Sequence, residues 1–120
     1  RKDCPLAAKD GVGPADLAGV PVLCSRQALH SNELSGWLGY DFSKLHIPST
    51  HNLVHNAALM VQAGMGCALT IDRLVNTEGT DLIFRPLKPA MKADLLFAWK
   101  KYQVFSKASE KFLEYLQKTI

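Results

Sequence analysis

What most limits the folds open to this 120-residue chain is the run over 49–71. It opens with the short polar set Ser49-Thr50-His51-Asn52. It continues as an apolar stretch, turns at Gly64-Met65-Gly66, and closes with the apolar run Cys67-Ala68-Leu69-Thr70-Ile71. Val54, Ala57, Ala58 and Val61 recur at i, i+3, i+4 and i+7, the period of a helix with one buried face. Leu53 and Met60 widen that face. The spacing predicts a helix over 52–63, ended by Gly64 or Gly66 in a left-handed turn. The strand predicted over 67–71 is apolar on both faces except at Thr70, as in a parallel sheet covered by helices. Short polar side chains at the helix start, beside unpaired N–H groups, suit a small anionic ligand.

The flanking sequence repeats the alternation. Residues 1–8 are polar with one proline and form a connector. Pro14 suits a first helical position and Gly19 a stop, which predicts one helical turn between them. An apolar run over 20–24 is a buried strand, and Ser25-Arg26-Gln27 follows at its C-terminal end. A short helix capped by Ser31 or Asn32 runs to Gly39, and a second strand is expected over 44–48. Residues 72–75 suggest a turn of helix and 76–80 a loop. Strands are expected over 81–86 and 94–99, then a last helix over 106–117 with Ser106 as N-cap. Its apolar stripe is Phe105, Ala108, Phe112, Tyr115 and Leu116.

Strands alternating with helices imply an α/β fold with an open, mostly parallel sheet flanked by helices. In such sheets ligands bind beyond the C-terminal ends of the strands. The residues expected there are Ser25-Arg26-Gln27, Ser49-Thr50-His51-Asn52 and Thr70-Ile71-Asp72, a polar rim whose fixed cation is Arg26.

The net charge of +3 sits in one place. Residues 1–90 carry eight Lys/Arg and eight Asp/Glu, whereas 91–120 carry six Lys and three acids. Those lysines are spread over a helix and a strand without an arginine cluster or interleaved aromatics, which speaks for a solvated face and against direct nucleic-acid binding. Cys4, Cys24 and Cys67 are odd in number and widely spaced, the usage of a reducing, cytoplasmic compartment rather than a disulfide framework. No apolar stretch approaches the roughly 18–20 residues of a membrane span, and a signal peptide is not expected. A start at Arg1-Lys2-Asp3 without Met is expected of a piece of a longer protein or of a processed terminus.

Catalytic templates fit poorly. There is no G-x-S-x-G elbow and no phosphate-binding G-x-x-x-x-G-K-[ST] loop. Gly11-Val12-Gly13 follows no strand, so it is not a dinucleotide fingerprint, and Gly64-Met65-Gly66 ends a helix instead of starting one. His51-x-x-x-His55 has the i, i+4 spacing of a zinc pair, with His46, Asp72 or Cys67 as a third ligand, but position 52 is Asn where a metalloprotease has Glu. A polar helix start explains the pair better than a metal. Cys67 as nucleophile needs a neighbouring base and exposure, and an apolar strand offers neither. Arg26 either clamps a carboxylate or pairs with Asp72 or Glu33, and the residues leave this open. Trp37 and Trp99 are expected to be core or interface anchors.

The layout resembles the effector-binding domain of LysR-type transcriptional regulators along almost the whole chain. RKDCPLAAKDGVGPADLAGVPVLCSRQ is similar to the family's crossing from its first lobe into its second. THNLVHNAALMVQAGMGCALTIDRLV resembles the central helix, glycine turn and following strand. LIFRPLKPAMKADLLFAWKKYQVFSKASEKFLEYL is similar to the return to the first lobe and the C-terminal helix. The resemblance implies a two-lobed fold like type 2 periplasmic binding proteins, with effector held between the lobes. It divides the chain into a connector over 1–10, second lobe over 11–92, and return strand and C-terminal helix over 93–120. The N-terminal winged helix-turn-helix and most of the first lobe would lie outside.

Carried over by position, the effector-facing residues are Ser25, Arg26, Gln27, Thr50, His51, Asn52 and Gly66. The resemblance further implies a small polar or anionic effector, no cofactor and no metal, a tetrameric parent, and DNA contact only through the separate N-terminal domain. In the family the C-terminal helix packs on the first lobe. Without that lobe it is expected to dock differently on the second, or to pair with another copy through 105–120 as a dimer or domain swap. The competing expectations are a small α/β enzyme using Cys67 or His51/His55, and a periplasmic-type solute-binding lobe.

Overall fold

Three short parallel strands carry the architecture. The computed structural model describes residues 1–94 and 96–119. Strand β1 (Val22–Ser25) lies in the centre, with β2 (Thr50–His51) on one side and β3 (Cys67–Ala68) on the other. Cys24 and Ser25 of β1 stand opposite Thr50 and His51, while Val22 and Leu23 stand opposite Cys67 and Ala68. The α/β class with a parallel sheet thus holds.

β1 is central because it is apolar on both faces. Val22 and Cys24 are buried in a cluster with Leu34 and Leu38 of helix α1 (Asn32–Leu38), together with Val12, Leu17 and Leu45. Leu23 points the other way, into a cluster with Leu82 and with Val61 of helix α2 (Val54–Gln62). Successive side chains of a strand point to opposite faces, so α1 and α2 cover the two sides of the sheet. Each fully buried aliphatic side chain contributes about 1.5–3 kcal/mol.

Local signals set the helix ends. Ser31 caps α1 by accepting the Leu34 N–H at 3.1 Å, and the helix stops at Gly39, whose φ is 67°. Pro14–Leu17 forms the predicted turn, of the 3₁₀ type. After α2 the chain reverses at Gly64, and Gly66 then adopts φ 130° while the Cys67 N–H donates to the Pro21 carbonyl at 2.9 Å. A Cβ on Gly66 would collide with that carbonyl, so the close approach of β3 to the start of β1 requires glycine here.

Several expected elements move or vanish. The second strand is not at 44–48: Phe42–Lys44 is a 3₁₀ turn begun by Asp41, and pairing starts later. The Val22 N–H reaches the His46 carbonyl and the Arg26 N–H reaches that of His51. β1 spends four residues where its neighbour spends five, and the extra residue falls around Pro48, which has no N–H to contribute. β3 keeps only two of the five residues expected over 67–71. The helix expected from Asn52 starts at Val54 with Leu53 as its N-cap and no side-chain cap bond, because Thr50 and His51 are drawn into the sheet. Residues 72–75 make a turn without helix, with Arg73 at φ 60°.

The described residues of 81–86 and 94–99 form no strand. Leu95 and Ile120, parts of the expected return strand and C-terminal segment, lie outside the described residues. What remains of the pairing is a single parallel bridge between Val12 and Leu87. The last helix, α3 (Lys107–Thr119), starts as expected, with Ser106 accepting the Ser109 N–H at 3.3 Å. Among the described residues no hydrogen bond or ion pair joins it to the sheet. None of its described residues is buried, and its ring contact is Phe112 against Phe97 at 5.7 Å between centroids. The radius of gyration is correspondingly large, 17.4 Å, against about 14 Å for a compact chain of this length.

Candidate functional site

The polar groups converge where β1 and β2 end together. Ser25 and His51 are partners in the parallel register, and the Arg26 N–H donates to the His51 carbonyl at 3.1 Å. The bond brings Ser25-Arg26-Gln27 and Thr50-His51-Asn52 to one edge of the sheet. Arg26, Gln27, Thr50 and Asn52 are exposed there. Among the described residues no ion pair holds Arg26. Asp72 pairs with its neighbour Arg73, and Glu33 accepts the Ser31 hydroxyl, which holds its carboxyl below the usual range. Neither acid suggested as a partner for Arg26 takes that role.

His51 is 8% exposed, and neither ring nitrogen has a hydrogen-bond partner among the described residues. Unpaired buried donors and acceptors cost about 1–3 kcal/mol each, so such a ring needs a physical account. Strand alternation puts it on the α2 side of the sheet, beside Ser25 and in line with Leu23. The i, i+4 pairing with His55 loses its basis, since His51 is in a strand and His55 is exposed on a helix. Among the described residues no cluster of three or more His, Cys, Asp or Glu is placed to hold a metal ion.

Two other expected residues have structural tasks. The Ser25 hydroxyl accepts the Ala28 N–H at 3.0 Å, which folds 28–30 back as a 3₁₀ turn. A Ser three residues before an apolar turn is the signal that could have shown this. Gly66 is not brought to the edge at all. It precedes β3, level with Pro21 at the opposite end of the parallel sheet.

The thiols are placed as small hydrophobic groups. Burial pushes the Cys24 thiol above its usual value, and burial together with nearby Cys4 does the same for Cys67. A raised thiol value lowers the fraction present as nucleophilic thiolate.

An open cavity lies elsewhere. It measures about 610 Å³ and opens between 97–105 and α3, with Trp99, Phe105 and Phe112 among its lining. It is an open gap beside an unburied helix face, far in sequence from the polar edge, and it carries no convergent charged groups.

A family model described as the LysR substrate binding domain matches residues 1–120. The chain belongs to the LysR substrate binding domain family. Among curated proteins and among solved structures, none matches it. The LysR domain has the type 2 periplasmic-binding-protein-like α/β fold, in keeping with the helix-covered parallel sheet here. It is the regulatory, ligand-sensing domain of a LysR-type transcriptional regulator. Among the described residues of this LysR domain, no helix is long and apolar enough to cross a membrane.

Proposed function

We propose that this LysR domain senses a small polar or anionic effector at the edge built by Ser25, Arg26, Gln27, Thr50, His51 and Asn52. The observation that carries the reading is Arg26: an exposed guanidinium without an ion pair among the described residues, its backbone fixed to the last residue of β2 by a 3.1 Å bond. A guanidinium held in place by its backbone, with its side chain free, suits bidentate capture of a carboxylate. Exposed hydroxyl and amide groups of Thr50, Asn52 and Gln27 add donors and acceptors around it. The orphaned nitrogens of His51 supply a polar floor that a ligand or a shift of the ring would satisfy.

In this proposal residues 1–10 are the connector from a first lobe, 11–92 the second lobe, and 93–120 the return segment and C-terminal helix. The edge is then one wall of an interlobe cleft. Effector bound between the lobes favours their closed arrangement, and the bias passes to DNA through a separate N-terminal domain in a cytoplasmic oligomer. An effector that touched one lobe alone would favour neither arrangement. The same reading assigns the bare face of α3 to self-association or to the first lobe. An enzymatic role finds little support, since the Cys67 thiol is pushed up by burial and His51 and His55 lie on different elements.

A thermal-shift screen of small carboxylates and amino acids tests the reading. By mass action, about 2.7 kcal/mol of stabilisation is expected at a hundredfold excess over the Kd. The stabilisation should fall to about 0.4–1.4 kcal/mol in Arg26→Gln at the same ligand concentration. Absence of any shift across the carboxylates would overturn the anionic-effector reading.

A further inference from the structure

One short helix holds both segments that lead to and from the sheet. Val12 and Leu87 form the parallel bridge: the Val12 N–H donates to the Pro86 carbonyl at 2.9 Å, and the Lys88 N–H donates to the Val12 carbonyl at 2.9 Å. Two residues after each bridged position stands a proline whose carbonyl accepts a bond from Trp37 near the end of α1 or from Tyr40 just beyond it. The Tyr40 hydroxyl donates to the Pro14 carbonyl at 2.9 Å. The Trp37 indole Nε1–H donates to the Pro89 carbonyl at 2.6 Å. The two grips therefore fall on the two partners of the bridge, one on each.

The other end of α1 is tied to the polar edge in steps of three residues. The Ala28 N–H donates to Ser25 Oγ at 3.0 Å, the Ser31 N–H to the Ala28 carbonyl at 3.0 Å, and the Leu34 N–H to Ser31 Oγ at 3.1 Å. Buried Leu34 and Leu38 fix the helix against β1. A hydrogen-bonded line thus runs from the last residue of β1 through 25–31 into α1, and out through two side chains to 12–14 and 86–89.

We infer that α1 couples the ligand edge to the bridged pair of connecting segments, with Trp37 and Tyr40 as positioning residues that transmit movement of 25–31. The link is a contiguous bonded network seated on a packed helix, a route by which coupling between separated sites is carried. Its signalling role rests on the proposed ligand contact at Arg26. The mechanical coupling does not.

Amide hydrogen exchange on the intact chain tests it without ligand, reading the Val12 and Lys88 N–H groups, with the Leu69 N–H as the reporter of the sheet. Ser25→Ala removes the first bond of the line. It should speed exchange at Val12 and Lys88 by about fivefold, the worth of one net hydrogen bond, and leave Leu69 unchanged. In the Trp37→Phe/Tyr40→Phe background, already fast at Val12 and Lys88, Ser25→Ala should add nothing. Such non-additivity is the signature of one network. Faster exchange confined to 26–34, or effects that multiply independently in the two backgrounds, would overturn the coupling. If the double substitution also speeds Leu69, the same cycle is run with Trp37→Phe alone and read at Lys88, with the same two outcomes deciding. A parallel titration with sodium succinate and the other small carboxylates of the screen separates the readings: no response at Arg26 to any of them sinks the anionic-effector proposal and leaves the ligand-free cycle standing.

Discussion

The Arg26 N–H donates to the His51 carbonyl at 3.1 Å, joining the first residue beyond β1 to the last residue of β2. The bond uses only main-chain atoms. It therefore fixes the base of the Arg26 side chain and leaves the guanidinium to solvent, and any residue at position 26 except proline would preserve it.

Arg26→Gln should accordingly separate binding from folding. Affinity for small carboxylates should fall about 10- to 100-fold, the worth of a charge-assisted hydrogen bond. Unfolding free energy should change by less than about 0.5 kcal/mol, as for a surface site without a packing role. Calorimetric titration and urea unfolding of the same preparations check the pair of outcomes.

Gly66→Ala should be severe for a different reason. The residue holds φ 130° and its added methyl would meet the Pro21 carbonyl that receives the Cys67 N–H. Strain of that kind costs about 1–3 kcal/mol, and the clash with Pro21 adds to it. The expected loss is about 3 kcal/mol or more in urea unfolding, with carboxylate affinity of the remaining folded protein unchanged.

Leu23→Ala and Leu59→Ala make a matched pair on the α2 side. Leu23 is 1% exposed in the cluster with Val61 and Leu82, whereas Leu59 of α2 is 53% exposed. Truncating Leu23 should cost about 2–5 kcal/mol through lost burial and a cavity. Truncating Leu59 should cost less than about 1 kcal/mol. Thermal denaturation that ranks them the other way would contradict the packing described.

Cys24 links stability to alkaline pH. Burial raises its thiol above the usual 9.0, so the folded state holds the proton more tightly than the unfolded chain. That contribution is whole below the unfolded value and is lost as pH rises through the folded one. Urea midpoints should therefore fall between pH 8 and pH 10 more steeply in the wild type than in Cys24→Ala. The comparison cancels every other group, since the two proteins share them. Iodoacetamide at pH 8 should label half-buried Cys4 well before Cys24.

The bare face of α3 should make association concentration-dependent. Phe112 and Tyr115 are 51% and 70% exposed, and Tyr102 and Val104 beside the helix are 89% and 94% exposed. Large apolar side chains left in water in this number favour self-association. Sedimentation velocity should show the average mass rising with concentration, and Phe112→Ser/Tyr115→Ser should abolish the rise. A single monomeric species over the whole range would remove the self-association part of the proposal.

Much of this was legible along the chain because it depends on local patterning. The apolar run ending in Cys24 specified a strand buried on both faces, Ser31 specified the start of α1, and the i, i+3, i+4, i+7 series specified α2. Those patterns suffice for a helix-covered parallel sheet, and the convergence of residues 25–27 with 50–52 follows from strands ending at a common edge. Tertiary contacts decided the rest. Residues 44–48 have the composition of a strand, yet Pro48 and the register of β1 move pairing to Thr50 and His51, which takes His51 from a helix cap into the sheet. Gly66 resembles a ligand-facing turn in sequence, and only the parallel direction of β3 shows it at the far end, under Pro21. Residues 81–86 read as a strand, but a strand needs a paired neighbour, and here a single bridge to Val12 is formed. The bonds from Trp37 and Tyr40 to carbonyls 52 and 26 residues away leave no trace in local pattern, because a main-chain acceptor has no sequence signature.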